Sequence, residues 1–391
     1  MIMKTRRIAS ALLVLTLLLS LAACGGKPEA TPSPEPIATF TVPPTEKPKK
    51  DYSYAYKKYE PETEVMTING LSVSWSDYFY WMYDELQKIE RNYGEIEDFS
   101  APLPGIAASE AEVITVAEYI KSRAEEQLVI YLAMESGTTA EGTVLDEIDE
   151  QHLEEIWQED IVRFGAGDAI GMENYMRSVF LTQDMYDRLN RIALLYIECF
   201  ADLYGERGSE FSDEDAMAAA ERFGYMQAKH ILIKTVDDSM FPLDEETIAE
   251  RRATAEDLAA QLEAAEDKAA LFEELKAEYD EDAAGQAPYP DGYCFTPGTM
   301  VPEFETALLE VQPGEITGIV ETAYGFHIIM RMPISPESVV TNAGEGNVYT
   351  LRYETAAATY EEKITGWIDN AEIEYTPDFE GLDLTRVFMV V

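Results

Sequence analysis

The 391-residue chain is poor in cysteine, histidine and basic side chains: three Cys, three His, and 29 Lys plus Arg against 75 Asp plus Glu. Each scarcity closes off a class of function. Three cysteines cannot frame so long a chain with disulfides. Cys199 and Cys294 sit among apolar neighbours (Ile197-Glu198-Cys199-Phe200 and Tyr293-Cys294-Phe295), which favours buried free thiols and leaves a Cys199–Cys294 bridge as the other reading. A formal net charge of −46 makes nucleic acid a poor partner, because neutralising phosphates takes Lys and Arg. The same charge repels anionic lipid and otherwise speaks only to solubility. What the chain does have is 46% hydrophobic residues and 23 tyrosines, enough for folded core. Its length suits two domains or one elaborated one.

Long apolar runs are also scarce, and the one at the N-terminus is informative. Lys4, Arg6 and Arg7 precede an uncharged apolar or small-residue stretch over residues 8–23. A bilayer-spanning helix needs roughly 20 apolar residues, so this shorter run reads as a cleavable signal peptide over residues 1–23. Leu21-Ala22-Ala23-Cys24, followed by Gly25-Gly26, resembles the lipobox of bacterial lipoproteins. That resemblance implies a diacylglycerol on Cys24, which anchors without spanning, since each buried CH₂ adds roughly 0.8 kcal/mol. The other reading is an ordinary secretory signal with a chance Cys. Eight of the 19 prolines then fall between Pro28 and Pro61, so residues 24–60 read as an extended, semi-rigid tether. Tyr52, Tyr54, Tyr56 and Tyr59 near its end suggest a short ordered entry.

From residue 64 the pattern is structural. Val65 to Ile68 reads as a strand closed by an Asn69-Gly70 turn. Trp75, Phe79, Met82, Leu86, Ile89 and Tyr93 recur at helical spacing behind Ser74, a plausible N-cap. Thr115 and Glu118 fit a capping box for a second helix, expected to end before Gly137. Further helices are expected over about residues 143–164, after Thr182 to Gly205, and after Ser212. This region is nearly all α, and its aromatic and Met stripes read as core rather than as a cofactor box. Beyond residue 225 come a strand (225–234), two helices (about 244–265, and through Phe272 to Tyr279), and a short strand (293–295). A short helix (302–311) and two strands (316–320 and 326–332) complete a small antiparallel sheet among helices, the α+β class. A helix over 349–369 and a short strand over 371–376 close the chain.

Residues 225–333 resemble the parvulin family along their whole length. The matching pieces are Ala228-Lys-His230-Ile-Leu-Ile-Lys234, Phe272-Glu-Glu-Leu275 with Tyr279, and Phe295-Thr-Pro-Gly298-Thr-Met300-Val-Pro-Glu-Phe304-Glu305. Gly314-Glu315-Ile316 and Tyr324-Gly-Phe-His327-Ile-Ile329 follow. Two of the three histidines occupy the two family positions, whereas His152 lies in a charged helix and reads as surface. The resemblance implies peptidyl-prolyl cis/trans isomerase activity. It puts the substrate proline ring on Met300 and Phe304 with Phe295 as a further wall, and makes His230 and His327 a hydrogen-bonded pair on adjacent central strands. It also aligns Asp282 with an acidic or Cys position, with Glu281 and Asp280 as register alternatives. Such a reaction faces a barrier of about 18–20 kcal/mol and needs no nucleophile, metal or cofactor, only a pocket that favours the twisted amide. An apolar shelf of sulfur and aromatic groups suits a pyrrolidine ring; the plainer reading of Met300, Phe304 and Phe295 is ordinary core.

Two departures stand out. Tyr289-Pro-Asp-Gly-Tyr293-Cys294 replaces the family's Gly-Gly-Asp-Leu-Gly stretch and reshapes the pocket rim. Ser239-Met240-Phe241 stand where a phosphate-binding loop would need basic residues, so no phosphoserine-proline preference is expected. The lipobox, tether and flanking helices are similar to the PrsA-type foldase lipoproteins and to the SurA and trigger factor group. That likeness implies a helical chaperone domain from residues 61–220 and 336–391, a parvulin domain at 221–335 inserted in it, and residues 372–376 paired beside 65–68. The partners it implies are unfolded or nascent exported polypeptides carrying X-Pro bonds, met at the extracytoplasmic face of the cell membrane. A non-enzymatic holdase, in which the parvulin fold only binds clients, is the alternative.

Overall fold

Asn69 and Gly70 both take positive φ (51° and 76°), the backbone of a two-residue hairpin turn, and join β1 (Glu64–Ile68) to β2 (Leu71–Ser74). The computed structural model describes residues 51–104, 114–342 and 348–388. The signal-like segment, Cys24 and the proline-rich stretch to residue 50 lie outside the described residues. The fold is α+β, and it divides into two compact units: residues to Asp202 with those from Glu362 onward, and Leu203–Glu361.

In the first unit Ser74 caps the helix Trp75–Tyr93 through a capping box with Asp77, satisfying N–H groups that the first turn leaves unpaired. Its inner stripe, Trp75, Phe79, Met82 and Leu86, is fully buried. Tyr52 is buried beside the short helix Ser53–Tyr56, so the tyrosines do form an ordered entry. β9 (Ile373–Tyr375) pairs antiparallel with β1, Met66 opposite Tyr375 and Ile68 opposite Ile373, as the sequence suggested. The chain's two ends thereby share one three-stranded sheet, β2-β1-β9.

Gly137 corrects one expectation. The helix that starts at Val116 does not stop there but runs on to Glu141. A Cβ at position 137 would lie 2.2 Å from the Trp367 ring, so the glycine is present for close packing, not for chain reversal. The helix Ala169–Ser178, capped by Asp168, and a hairpin of β7 (Val339–Asn342) and β8 (Val348–Thr350) were also not legible. Cys199 and Cys294 are both free and buried, which removes the bridge.

The second unit holds a four-stranded antiparallel sheet in the order β4-β3-β6-β5, from β3 (Met226–Lys234), β4 (Tyr293–Phe295), β5 (Ile316–Glu321) and β6 (Gly325–Met332). Strand alternation sends Ile231, Ile233, Phe326, Ile328 and Met330 to one face, under the helices Glu245–Ala264 and Lys268–Tyr279. Met226, Ala228 and Ile329 point to the other face, where Phe295 and the helix Pro302–Leu309 pack. Both histidines share that second face.

Gly137→Ala tests the packing at the helix crossing. The substitution gains roughly 1 kcal/mol of helix propensity but drives a methyl into Trp367. A net loss on the order of 1–3 kcal/mol is expected in urea unfolding of the full chain, and a stabilised variant would contradict it.

Candidate active site

β3 and β6 pair in one unbroken register, with His230 opposite Ile329 and Leu232 opposite His327. His230 and His327 are therefore diagonal neighbours on one face, close enough for their rings to meet. The ring centroids lie 5.1 Å apart at 81°. Both residues are buried, at 6% and 4% exposure. They do not hydrogen-bond to one another, which corrects the expectation of a bonded pair: the rings stand edge to face, with nitrogens turned elsewhere. His327 Nε2 is 2.9 Å from the Thr322 hydroxyl, and His230 Nε2 is 3.2 Å from Asp282 Oδ2, close but poorly aligned for a hydrogen bond. Nδ1 of each ring is buried without a partner.

Asp282 reaches the histidine because of what flanks it. β4 is short and covers β3 only as far as Ala228, which leaves one backbone edge of β3 open from His230 to Lys234. Asp280 Oδ1 accepts Leu232 N–H (3.0 Å) and Glu281 Oε2 accepts Lys234 N–H (2.6 Å). Gln286 Nε2 donates to His230 O (3.1 Å), and Glu281 N–H donates to Leu232 O (2.9 Å). The segment 280–286 thus stands in for a missing strand. Of the three acidic register alternatives, Asp280 and Glu281 hold the backbone, and Asp282 alone faces His230.

Phe304 lies edge-on to both imidazoles, 5.5 Å from His230 and 5.7 Å from His327, and Phe295 is 6.3 Å from Phe304. Phe295 and Phe304 are nearly fully buried, so they are core as well as floor; Met300 is only partly buried. Glu305, whose role the sequence did not signal, clasps the loop that carries Met300 by accepting N–H groups from Gly298 and Met300, each at 2.9 Å. Thr322 and Gln286 were likewise missed; polar residues in a turn and a short helix carry no pattern that marks them. His152 is exposed, as expected.

Electrostatics follow from burial. His327 is pushed down to about 3, first by desolvation and then by His230, with the Asp282 carboxylate acting the other way. For Asp282, burial favours the neutral acid, but the adjacent His230 and the hydrogen bond from Tyr293 outweigh it, and its carboxyl sits below the ordinary value. The site is thus a neutral imidazole and a carboxylate at the end of an apolar floor, with no nucleophile poised for attack.

Residues 230–332 match the Rotamase family, described as the PPIC-type PPIASE domain. This segment is a parvulin-type domain. The chain is 31% identical to the foldase protein PrsA of Halalkalibacterium halodurans over 180 residues, 45% of this chain and 47% of that protein. It is 31% identical to the chaperone SurA of Nitrosospira multiformis over 149 residues, 38% of this chain and 31% of that protein. The matched stretches thus span about half or less of these curated relatives. Among solved structures it is similar to the peptidylprolyl isomerase (PrsA) of Bacillus cereus at 19% identity, over 72% of this chain and 96% of that one, with a TM-score of 0.31. The match starts five residues after, and ends one residue before, the resemblance noted from sequence, and it includes every pocket residue named above.

The depressed His327 has a measurable consequence. Its folded value, about 3, lies below the ordinary 6.5, so between those values the unfolded chain binds more protons. The stability it contributes is complete above about pH 6.5 and is lost as the pH falls toward 3. Imidazole ¹⁵N spectra of the full chain at pH 5 should show His327 neutral; a protonated ring at that pH would refute the burial argument.

Proposed function

We propose that the chain is a peptidyl-prolyl cis/trans isomerase and folding chaperone for exported proteins, held at the outer face of the cytoplasmic membrane by a lipid on Cys24. The observation that carries the enzymatic part is the convergence of His230 and His327 on Phe304 beside the partly buried Met300, with Asp282 facing His230. Rotation about an X-Pro bond needs the amide to lose resonance, and a desolvated apolar seat favours that by stripping water from the carbonyl. In this reading Met300, Phe304 and Phe295 hold the proline ring. His230 and His327 supply a polar surface beneath the amide, and the Asp282 carboxylate sets its electrostatics. Isomerisation takes no covalent step, so nothing further is required of the site.

The domain at 221–335 then serves clients gathered by helical segments at 61–220 and 336–391, with the stretch between Cys24 and the buried Tyr52 as tether. Unfolded exported polypeptides with X-Pro bonds are the fitting substrates. A second reading, a holdase without isomerase activity, draws on the apolar side chains displayed by two helices of the first unit and the turn before them. Val144, Ile148, Val162 and Ile170 are each more than 70% exposed. Such surface is what a chaperone offers to unfolded chains.

Refolding of a test protein limited by one proline isomerisation separates these readings. The full chain should accelerate the slow phase, and Met300→Ala or His230→Ala should reduce that acceleration on the order of tenfold. An unchanged slow phase with the wild-type chain, alongside suppressed aggregation, favours the holdase. For the anchor, Cys24→Ser is expected to move the protein from the membrane fraction to the soluble one; continued membrane retention would reject the lipid on Cys24.

A further inference from the structure

Tyr293 belongs to the rim stretch that departs from the family pattern, and its side chain reaches the centre of the site. β4 pairs with β3 so that Tyr293 lies opposite Ala228, two residues before His230 on the same face. Its hydroxyl donates to Asp282 Oδ2 at 3.0 Å, the same oxygen that faces His230 Nε2 at 3.2 Å. The ring sits 6.0 Å from the His230 ring and is backed by Tyr289 at 5.1 Å. A separate feature makes room for this contact. Gly285 has no side chain, and a Cβ there would lie 2.6 Å from Asp282 Oδ1 and 2.8 Å from the Tyr293 hydroxyl.

We propose that Tyr293 is a positioning residue: its hydroxyl holds the Asp282 carboxylate in the orientation that presents Oδ2 to His230. The inference rests on the isomerase reading for its catalytic consequence, but not for the geometry. An Asp carboxylate turns about a broad, roughly two-fold torsion, and this one is 31% exposed, so water competes for it. A charge-assisted hydrogen bond from a ring backed by a neighbouring tyrosine limits that rotation. The other charged or titratable groups that act on Asp282 are His230 and Lys234 of β3, and His327 of β6 interacts with it in turn. None of them provides the fixed hydroxyl that Tyr293 does.

Tyr293→Phe in the full chain removes the hydroxyl and keeps the ring. Two readouts are taken. The imidazole ¹⁵N signals of His230, identified by their loss in His230→Gln, should shift in Tyr293→Phe and also in Gly285→Ala, which forces hydroxyl and carboxylate apart while leaving the tyrosine intact. In proline-limited refolding, Tyr293→Phe should lower kcat about tenfold with KM little changed. In an Asp282→Asn background, the same change should have no further effect on either readout. Unshifted His230 signals in both variants would overturn the proposal, as would a loss of kcat that adds fully to that of Asp282→Asn. If the wild-type chain has no isomerase activity, the isomerase reading fails, and the His230 signals still decide whether Tyr293 positions the carboxylate.

Discussion

The open edge of β3 is the constraint on which the site depends. A central strand needs both its backbone edges satisfied, since a buried N–H or C=O without a partner costs about as much as a lost hydrogen bond. β6 serves one edge of β3 along most of its length, whereas β4 serves the other only to Ala228. The remaining N–H and C=O groups are taken by Asp280, Glu281 and Gln286, from a segment that is not a strand. Docking that segment on β3 carries Asp282, next in line, to the rim beside His230. Backbone satisfaction and the placement of the Asp282 carboxylate are one structural event. This explains why the segment is rich in acceptors: strand N–H groups are best met by carboxylates where no carbonyl ladder is available.

The pairing of β3 with β6 supplies the rest. An antiparallel register with His230 opposite Ile329 puts the two imidazoles diagonally together; a one-residue slip would send one of them into the opposite core with Phe326 and Ile328. Each histidine has a polar neighbour outside the pair, the Thr322 hydroxyl for His327 and the Asp282 carboxylate for His230. Phe304 seats both rings and also belongs to the apolar cluster of that face, so the pocket floor and the domain core share a side chain. A change at Phe304 would therefore confound stability with activity, whereas Met300, partly exposed at the edge, separates them.

Much of this was legible because the relevant signals are local. The strand near residues 225–234, the Asn69-Gly70 turn and the caps at Ser74 and Thr115 depend on neighbours within a few positions, and all are present. The misreadings share a cause. Gly137 looked like a helix stop because a glycine's local cost is visible in the sequence, while the Trp367 ring that requires it comes from 230 positions later in the chain. The histidines were expected to bond to each other because proximity was inferable and ring orientation was not. Thr322 and Gln286 went unnoticed, and Glu305 was read only as part of a motif, since their partners are mainly backbone groups or a histidine and their residue types are common in any loop.

The sequence by itself determined the α+β class and most element positions, because periodicity and caps are written in short windows; the residues expected at the pocket came from the resemblance to the parvulin family. It also singled out Asp282 only as one of three acids. Tertiary structure decided among them, since the choice turns on which carboxylates are consumed by the bare edge of β3 and which is left over. It decided, too, that Tyr293 is more than an altered rim residue: a hydroxyl 11 positions from Asp282 becomes its partner only when β4 folds onto β3 and Gly285 leaves space between them. Contacts of that kind depend on distances between segments, and no local pattern encodes them.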